Sequence, residues 1–335
     1  MMKILSRNRN LFAVLWMLTL CITSIFGHKT SVYAVDFTRD SEGNLLAEDE
    51  QKFYYMVPTG QESLGECMLY VYGGNQVNLV LPQKCNSYQV TAISKDFSSM
   101  IPYLGYGQKS LETVKIPSGY RLIEDGDGGR SGAFQNQTEL YCIEIPKSVI
   151  KIGDKAFDGC DKSKLTFVTP KGSYARLFAI ERGIFYTDSK KVGVNTFGTT
   201  MVVGETKQTA VYNSKKTAKF QSSDSSIVSV SKTGVLTAKK AGTAKLTVRL
   251  SGKKYSYTIT VKKRTKSNVL NVIRANYVTK DMTKNEKVAA AKHWLDSNVK
   301  VAGSKKTSKA ALVNGKASKA GYDKALKEIL AHYGL

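Results

Sequence analysis

Apolar residues between positions 140 and 160 recur with the spacing of a short strand and a tight return. Three of them precede a proline and four follow it; they are Leu140, Ile143, Ile145, Val149, Ile152, Ala156 and Phe157. Pro146 ends the strand because it has no backbone N–H to donate to a ladder. A strand this short buries its apolar side chains only against a neighbouring copy, so the pattern predicts stacked units of about two dozen residues.

Less regular copies of this unit lie on both sides of it. Upstream, residues 111–117 repeat the strand and its proline, and residues 133–134 repeat the terminal Ala-Phe pair. Looser copies occupy residues 79–97 and 165–186, and the second of these ends as a closing cap would. An acidic, glycine-rich insertion at residues 124–129 is predicted to be a surface loop.

The segment from Leu140 to Cys160 reads LYCIEIPKSVIKIGDKAFDGC. It resembles the BspA-type leucine-rich repeats of bacterial surface proteins, whose units follow the pattern L-x-x-I-x-I-P-x-S-V-x-x-I-G-x-x-A-F-x-G-C. The resemblance covers residues 75–189. It implies a solenoid that serves as an adhesion surface and carries no chemistry.

Solenoids of this kind bind partners through side chains that point outward from their strands. On the strand pattern, the outward positions include Lys115, Tyr141 and Glu144. These three are candidate binding residues, although ordinary solvent-facing residues occupy such positions more often. The sequence does not identify the ligand.

The first 34 residues have the pattern of a secretory signal peptide. Basic residues precede an apolar run at 11–25, and Val32-Tyr-Ala34 has the small-residue pattern of a cleavage site. A membrane anchor is the alternative, but the run is shorter than the roughly 20 apolar residues of a spanning helix. We therefore expect a secreted, extracellular or cell-wall-associated protein with no transmembrane span after cleavage.

Residues 35–74 are predicted to be a polar lead-in that ends in a cap. It contains a strand at residues 53–57, and the strand-like runs 67–72 and 76–81 are predicted to form a hairpin. An exported protein can form disulfides, and Cys67 with Cys85 would connect this hairpin.

Other cysteine pairings remain open. The mature chain has four cysteines and three possible connectivities, and Cys160 is equally consistent with a buried apolar thiol. There is no C-x-x-C pair, and the three histidines are His28, His293 and His332, the first in the leader. The sequence therefore predicts neither a metal site nor a cofactor.

Residues 190–263 form a series of short alternating strands. The inward face of one of them consists of Ala244, Leu246, Val248 and Leu250, and Tyr257, Ile259 and Val261 form a second apolar face. This pattern predicts a small β-sandwich. The stretches FQSSDSSIVSV, GVLTAKKAGTA and YSYTITV, which begin at Phe220, Gly234 and Tyr255, are similar to the group 2 bacterial Ig-like domain. That resemblance implies a spacer or stalk.

The sandwich region is strongly basic. It contains fifteen Lys or Arg but only Glu205 and Asp224 as acidic residues, within a chain of net charge +23. Such a region attracts anionic wall polymers or glycosaminoglycans through counterion release, although lysines that only keep the domain soluble are the alternative. No nucleic-acid-binding motif is visible, so nucleic acid is the least favoured partner.

Residues 264–335 have helical periodicity. Thr283 and Glu286 form a capping box, and the apolar positions that follow on one face are Val288, Ala291, Trp294 and Leu295. A second helix is predicted from about Ser318 to a stop at Gly334.

This segment resembles the beginning of a bacterial transglutaminase-like, papain-type domain. The matching stretches are NEKV, HWLDSNVK, ALVNGK and GY, which begin at residues 285, 293, 311 and 321. The family nucleophile is a cysteine two residues before the GY pair, and Lys319 occupies that position here. The resemblance therefore implies a truncated, cysteine-less segment without activity, whose apolar face is loosely packed or open to a partner.

The predicted fold class is multidomain and mainly β: a leucine-rich-repeat solenoid, an Ig-like sandwich and a short α-helical tail. Three functions are compatible with it. The first is adhesion or interaction with host or bacterial surface proteins or matrix, with the sandwich as a spacer. The second is a wall-associated structural role based on electrostatic binding to anionic polymer. The third is a degenerate enzyme without activity.

Overall fold

The computed structural model describes residues 35–98, 110–126 and 132–335, and within them the fold is mainly β, with 24 strands and five α-helices. The predicted signal peptide and residues 127–129 of the predicted loop lie outside the described residues. The chain divides into two compact units. The described parts of Met1–Ser110, Pro117–Gln137 and Lys151–Gly159 make up the first, and Leu111–Ile116, Thr138–Ile150 and Cys160–Leu335 make up the second.

The strands before residue 190 are divided between the two units. They are β1 Thr38–Arg39, β2 Leu45–Glu48, β3 Phe53–Val57, β4 Glu66–Tyr72, β5 Asn78–Val80, β6 Lys84–Cys85, β7 Tyr88–Ile93, β8 Thr113–Lys115, β9 Leu122–Ile123, β10 Cys142–Glu144, β11 Lys151–Ile152, β12 Thr166–Val168 and β13 Phe185–Thr187.

An eight-stranded sheet forms the first unit. Strands β1 to β4 are antiparallel neighbours, and β7, β9 and β11 continue the sheet in parallel from β4. The predicted strand at residues 53–57 is confirmed as β3. The predicted hairpin between residues 67–72 and 76–81 is wrong, because β3 and β7 already occupy both edges of β4.

A ladder of aromatic rings fills the core of the first unit. Successive ring centroids lie 4.9 to 6.3 Å apart along Phe53, Tyr72, Phe97, Phe134 and Phe157. The last two are the phenylalanines of the predicted Ala-Phe pairs, and both are buried. The repeat therefore places one aromatic ring above another at each step.

Glycine is required in the first unit where the segment that follows β9 approaches the segment that follows β11. A Cβ atom on Gly132 would lie 2.5 Å from the carbonyl oxygen of Lys155. Because that oxygen belongs to the backbone, it cannot move aside without shifting the chain.

Four parallel strands in register lie side by side in the second unit, in the order β8, β10, β12 and β13. Val114 of β8 pairs with Ile143 of β10, which pairs with Phe167 of β12, and all three side chains are buried. The predicted inward positions Leu140 and Ile145 are buried as well. The short strands therefore shield one another, as the spacing of the repeat predicts.

A single helix precedes the last of these parallel strands. Helix α1, Tyr174–Arg182, begins at Ser173, whose hydroxyl accepts a hydrogen bond from the Arg176 N–H. It ends at Gly183, which has a left-handed φ of 68°. The segment predicted to be a cap thus forms a helix followed by the edge strand β13.

Nine strands follow between residues 193 and 262. They are β14 Gly193–Asn195, β15 Thr200–Val202, β16 Thr206–Gln208, β17 Ala210–Tyr212, β18 Lys219–Ser222, β19 Val228–Val230, β20 Val235–Ala238, β21 Gly242–Leu250 and β22 Lys253–Lys262.

These strands form a four-stranded sheet, β15-β22-β21-β18, a three-stranded sheet, β16-β20-β19, and the pair β14-β17. The predicted inward residues of β21 are buried in a shared apolar cluster with Ile259 and Val261 of β22. Tyr257 packs against the same cluster while partly exposed. The predicted alternation is confirmed, whereas the short strands β14, β16 and β17 were not predicted.

The remaining elements are mostly helical. They are α2 Lys266–Asn276, α3 Lys284–Asn298, β23 Lys300–Val301, α4 Ser308–Leu312, β24 Lys316–Ala317 and α5 Lys319–His332. The capping box of Thr283 with Glu286 is confirmed, and Ser318 is the N-cap of α5 as predicted. Helix α5 ends at His332, two residues before the predicted stop at Gly334.

The prediction of a loosely packed apolar face on these helices is wrong. Their apolar residues form one buried cluster that also contains Ile180 of α1 and Val202 of β15. Trp294 at its centre is only 1% exposed, while Val288 is half-buried. The cap helix and the sandwich therefore supply the cover that the helical segment lacks by itself.

Candidate functional site

The outward positions of the parallel strands in the second unit form a row whose exposure changes from strand to strand. Lys115 of β8 pairs with Glu144 of β10, which pairs with Val168 of β12. Lys115 is exposed, Glu144 is half-buried and Val168 is only 8% exposed. The strand face is therefore open at β8 and covered at β12.

The segment that follows the parallel strands provides this cover. Lys190 Nζ lies 2.6 Å from a carboxylate oxygen of Glu144, and Lys215 Nζ lies 3.0 Å from one of Glu112. The backbone N–H of Asn213 donates to the hydroxyl of Thr166 at 3.4 Å. Two ion pairs and a hydrogen bond thus hold the start of the sandwich region against the strands.

These contacts make the three candidate binding residues differ in how accessible they are to a partner. Glu144 is engaged by Lys190, and Tyr141 lies half-buried where desolvation, with the nearby charge of Glu112, raises the pKa of its phenol. Lys115 alone of the three is exposed. It is therefore the candidate that a partner can reach directly.

Lys319 lies at the first position of α5, as the sequence predicts. Its ammonium pairs with Asp323 one turn along and lies 5.1 Å from the centroid of the Tyr322 ring. The Tyr322 hydroxyl donates to Asp296 Oδ1 at 2.6 Å, which connects α5 to α3. Lys319 thus forms a surface ion pair on this helix.

Cys67 and Cys85 are buried free thiols in strands that flank β7 on opposite edges. Adjacent strands are about 4.8 Å apart, so β4 and β6 lie about 9.6 Å apart at this point. That exceeds the roughly 7 Å limit between the Cα atoms of a disulfide, so a bridge would require the backbone to move. Burial raises the pKa of both thiols to about 12. Their pairing stays a prediction.

A buried carboxylate that sequence reasoning missed organises the junction of the sandwich with the helices. Glu205 is fully buried, and its Oε1 accepts hydrogen bonds from the Tyr277 hydroxyl at 3.0 Å and the Trp294 indole N–H at 3.3 Å. Its Oε2 accepts from the Val202 N–H at 2.9 Å. Three donors satisfy this carboxylate, so it serves as a structural acceptor.

Two cations, buried Lys207 and half-buried Arg264, lie near Glu205. Burial lowers the pKa of the Lys207 ammonium to about 8, partly offset by the negative charge of Glu205. Burial also lowers the pKa of Arg264, whose guanidinium lies 5.8 Å from the centroid of the Trp294 ring.

A cavity of about 550 Å³ lies beside this cluster in the second unit. Several of its polar wall groups are already bonded within the protein. Lys207 Nζ donates to the carbonyl of Gly198 at 2.8 Å, and the Asn276 side chain donates to the carbonyl of Thr200 at 2.7 Å. The Asn298 amide both donates and accepts. These groups fix the wall and are not free to recognise a ligand.

His293 of α3 lines the same cavity. It packs so closely on Gly183 that a Cβ atom there would lie 2.5 Å from its ring. Burial lowers the pKa of the imidazole below its usual value. His293 is therefore a partly buried residue that packs α3 against the end of α1.

The lowered pKa of His293 predicts a pH dependence of stability. Below about pH 6.5 the unfolded chain binds a proton at this position more readily than the folded chain, so this contribution is lost as the pH falls. Thermal unfolding midpoints measured near pH 7.5 and near pH 5 should differ less in His293→Gln than in the unaltered protein. An equal difference in both proteins would contradict the prediction.

Within the described ranges, no group of three or more His, Cys, Asp or Glu side chains is placed to hold a metal ion. In the same parts of the chain, every helix is too short or too polar to cross a bilayer.

Comparison with known proteins gives little further identification. No family model matches the chain, and no curated protein matches it. Among solved structures, it is similar to the leucine-rich repeat protein TpLRR of T. pallidum, with a TM-score of 0.29 and 20% identity over 46% of this chain and 59% of that one. For an intimin mutant of EHEC O157:H7 the TM-score is 0.18, with 14% identity over 32% of this chain and 64% of the other. The chain thus spans less than two thirds of either protein, and TM-scores of this size do not establish a shared fold.

Proposed function

We propose that this chain is a noncatalytic interaction protein, secreted or at the bacterial cell surface. Residues 75–189 would form a BspA-type leucine-rich-repeat solenoid that binds a protein partner, either a surface protein or extracellular matrix. The observation that carries the proposal is the in-register parallel ladder of β8, β10 and β12, with its repeat positions buried. Such a ladder holds outward side chains rigidly, which lowers the entropy lost when a partner binds.

Residues 190–263 would be a group 2 bacterial Ig-like module that positions this surface. Its strands form two main sheets over a shared apolar core, which supports the assignment. The ion pairs of Lys190 with Glu144 and Lys215 with Glu112 fix its start against the parallel strands. These contacts support a module that lies against the strands at its start and presents the binding surface.

The helical segment would be a transglutaminase-like remnant with a packing role. An ammonium group at Lys319 stands where that family has its thiol, and it cannot form a thioester. The buried cluster shared by these helices, α1 and β15 supports a structural contribution.

The proposal is tested on the full chain through Lys115. Immobilised protein is first used to capture partners from purified extracellular and cell-surface proteins, and affinity is then measured by surface plasmon resonance. Lys115→Glu should weaken the captured interaction about tenfold, since reversing a central exposed charge costs about 1.4 kcal/mol or more. Lys147→Glu is the matched control, because Lys147 is also exposed but lies after the end of β10, outside the strand face.

The control should change the affinity by less than about twofold, as expected for a charge outside the contact. Equal affinities for Lys115→Glu and the unaltered chain would remove the strand face from the interface. Absence of any captured partner would reject the interaction role itself.

A further inference from the structure

Three cations lie in one row across the four-stranded sheet of the sandwich. Lys219 of β18 pairs with Arg249 of β21, and Arg249 pairs with Lys254 of β22. Paired residues on adjacent strands have Cα atoms about 5 Å apart and side chains on the same face. All three residues are exposed. This cation row therefore concentrates three positive charges within about 10 Å of protein surface.

The cation row has no compensating charge on its own face. Like charges directly opposite each other in a sheet are destabilising. None of the three takes part in an ion pair among the described residues. The outward residues of β18, β21 and β22 include no Asp or Glu. Among the described residues, therefore, no acidic side chain on this face neutralises the cation row.

The next positions on the same face are polar and small. Gln221, Thr247 and Ser256 form the adjacent row, and Lys245 extends the positive charge along β21. The aromatic residues of these strands, Phe220, Tyr255 and Tyr257, pack against the interior cluster. The face therefore offers cations and hydrogen-bonding side chains without an aromatic platform.

We propose that this cation row binds a linear phosphodiester polymer. Closely spaced ammonium and guanidinium groups match closely spaced phosphate oxyanions, and the neighbouring hydroxyl and amide groups can donate further hydrogen bonds to them. A single-stranded nucleic acid would gain little here, since its bases bind by stacking on aromatic side chains. A flexible polyol-phosphate chain fits the face best.

This inference goes beyond the proposed function, because it concerns the sandwich and not the strand face around Lys115. A chain held on anionic polymer by the sandwich would leave its other surface available to a protein partner. The two sites should therefore be separable by mutation.

The test uses the full chain and poly(glycerol phosphate) as the probe. The row variant is Lys219→Gln/Arg249→Gln/Lys254→Gln. The control variant is Lys232→Gln/Lys239→Gln/Lys240→Gln, which removes the same charge from exposed positions elsewhere in the sandwich. Dissociation constants are measured by isothermal titration calorimetry across a salt series from about 50 to 200 mM.

The row variant should bind at least about tenfold more weakly, and the slope of log affinity against log salt should fall by about 2, since three phosphate contacts are lost. The control should weaken binding less than about threefold. Equal losses in both variants would overturn the proposal, because net charge alone would then explain binding. Tighter binding of heparin or single-stranded DNA than of poly(glycerol phosphate) would overturn the phosphodiester assignment.

The same series checks that the row variant folds and that the polymer site is independent of Lys115. Circular dichroism should show the row variant folded, and if it is not, the double variant Lys219→Gln/Lys254→Gln takes its place with a smaller loss expected. Lys115→Glu should leave polymer binding unchanged. Loss of polymer binding in Lys115→Glu would contradict the placement of the site on the sandwich, whatever the outcome for protein partners.

Discussion

Glu205→Ala is expected to lower the free energy of unfolding by about 3 to 5 kcal/mol, as for removal of a charged acceptor from a buried hydrogen-bonded network. The change leaves buried Lys207 and half-buried Arg264 without their nearby negative charge. It also leaves the Tyr277 hydroxyl and the Trp294 indole N–H without their acceptor. Chemical denaturation followed by circular dichroism measures the loss.

The matched control for this prediction is Asp224→Ala. Asp224 is the other acidic residue of the sandwich region, and its carboxylate accepts hydrogen bonds from Ser226 and from the Ile227 backbone within its own turn. Its removal should cost about 1 kcal/mol or less, as is usual for a position of this kind. Similar small losses in the two variants would show that Glu205 does not organise the junction.

A second large effect is expected at Glu286, which connects α3 to α1. Its Oε1 lies 3.3 Å from Nε of Arg176, and the two side chains are only 1% and 6% exposed. Its other oxygen accepts from the Thr283 N–H at 2.7 Å in the capping box. Glu286→Ala should destabilise the protein by at least about 3 kcal/mol, because it leaves the buried Arg176 guanidinium with the partly exposed Asp281 as its remaining anionic partner.

Two further variants sharpen this prediction. Glu181→Ala removes an exposed carboxylate from the same helix as Arg176 and should change stability by no more than about 0.5 kcal/mol. Arg176→Met/Glu286→Leu removes both charges and should recover much of the loss, since apolar pairs often replace buried ion pairs at little cost. A double variant as unstable as Glu286→Ala would point to lost packing or capping instead of an unpaired charge.

The predictions of the parallel strands and of the sandwich were based on local sequence patterns. The spacing of Val114, Ile143 and Phe167 identifies inward positions, because a short strand exposes its apolar side chains unless a neighbour covers them. The alternation from Ala244 to Leu250 works in the same way. Each strand carries its own signal within a few residues, so a single sequence contains both patterns.

The failed prediction of the hairpin between residues 67–72 and 76–81 has a different origin. Glycines between two strand-like runs favour a tight turn, but they do not say which edges are already taken. Strand β4 is paired with β3 and β7, so no edge remained for the second run. Edge occupancy depends on the whole sheet and is not encoded in the turn.

The sequence by itself determined which side chains of the main strands face inward and where helices α3 and α5 begin. Tertiary structure alone decided that Lys190 and Lys215 cover part of the strand face, that Glu205 binds Trp294, and that three cations align across β18, β21 and β22. The physical reason is distance along the chain. Periodicity and capping act within one or two turns, whereas Glu205 and Trp294 are 89 residues apart and Arg176 and Asp281 are 105 residues apart. Contacts of that range form only after the elements have packed.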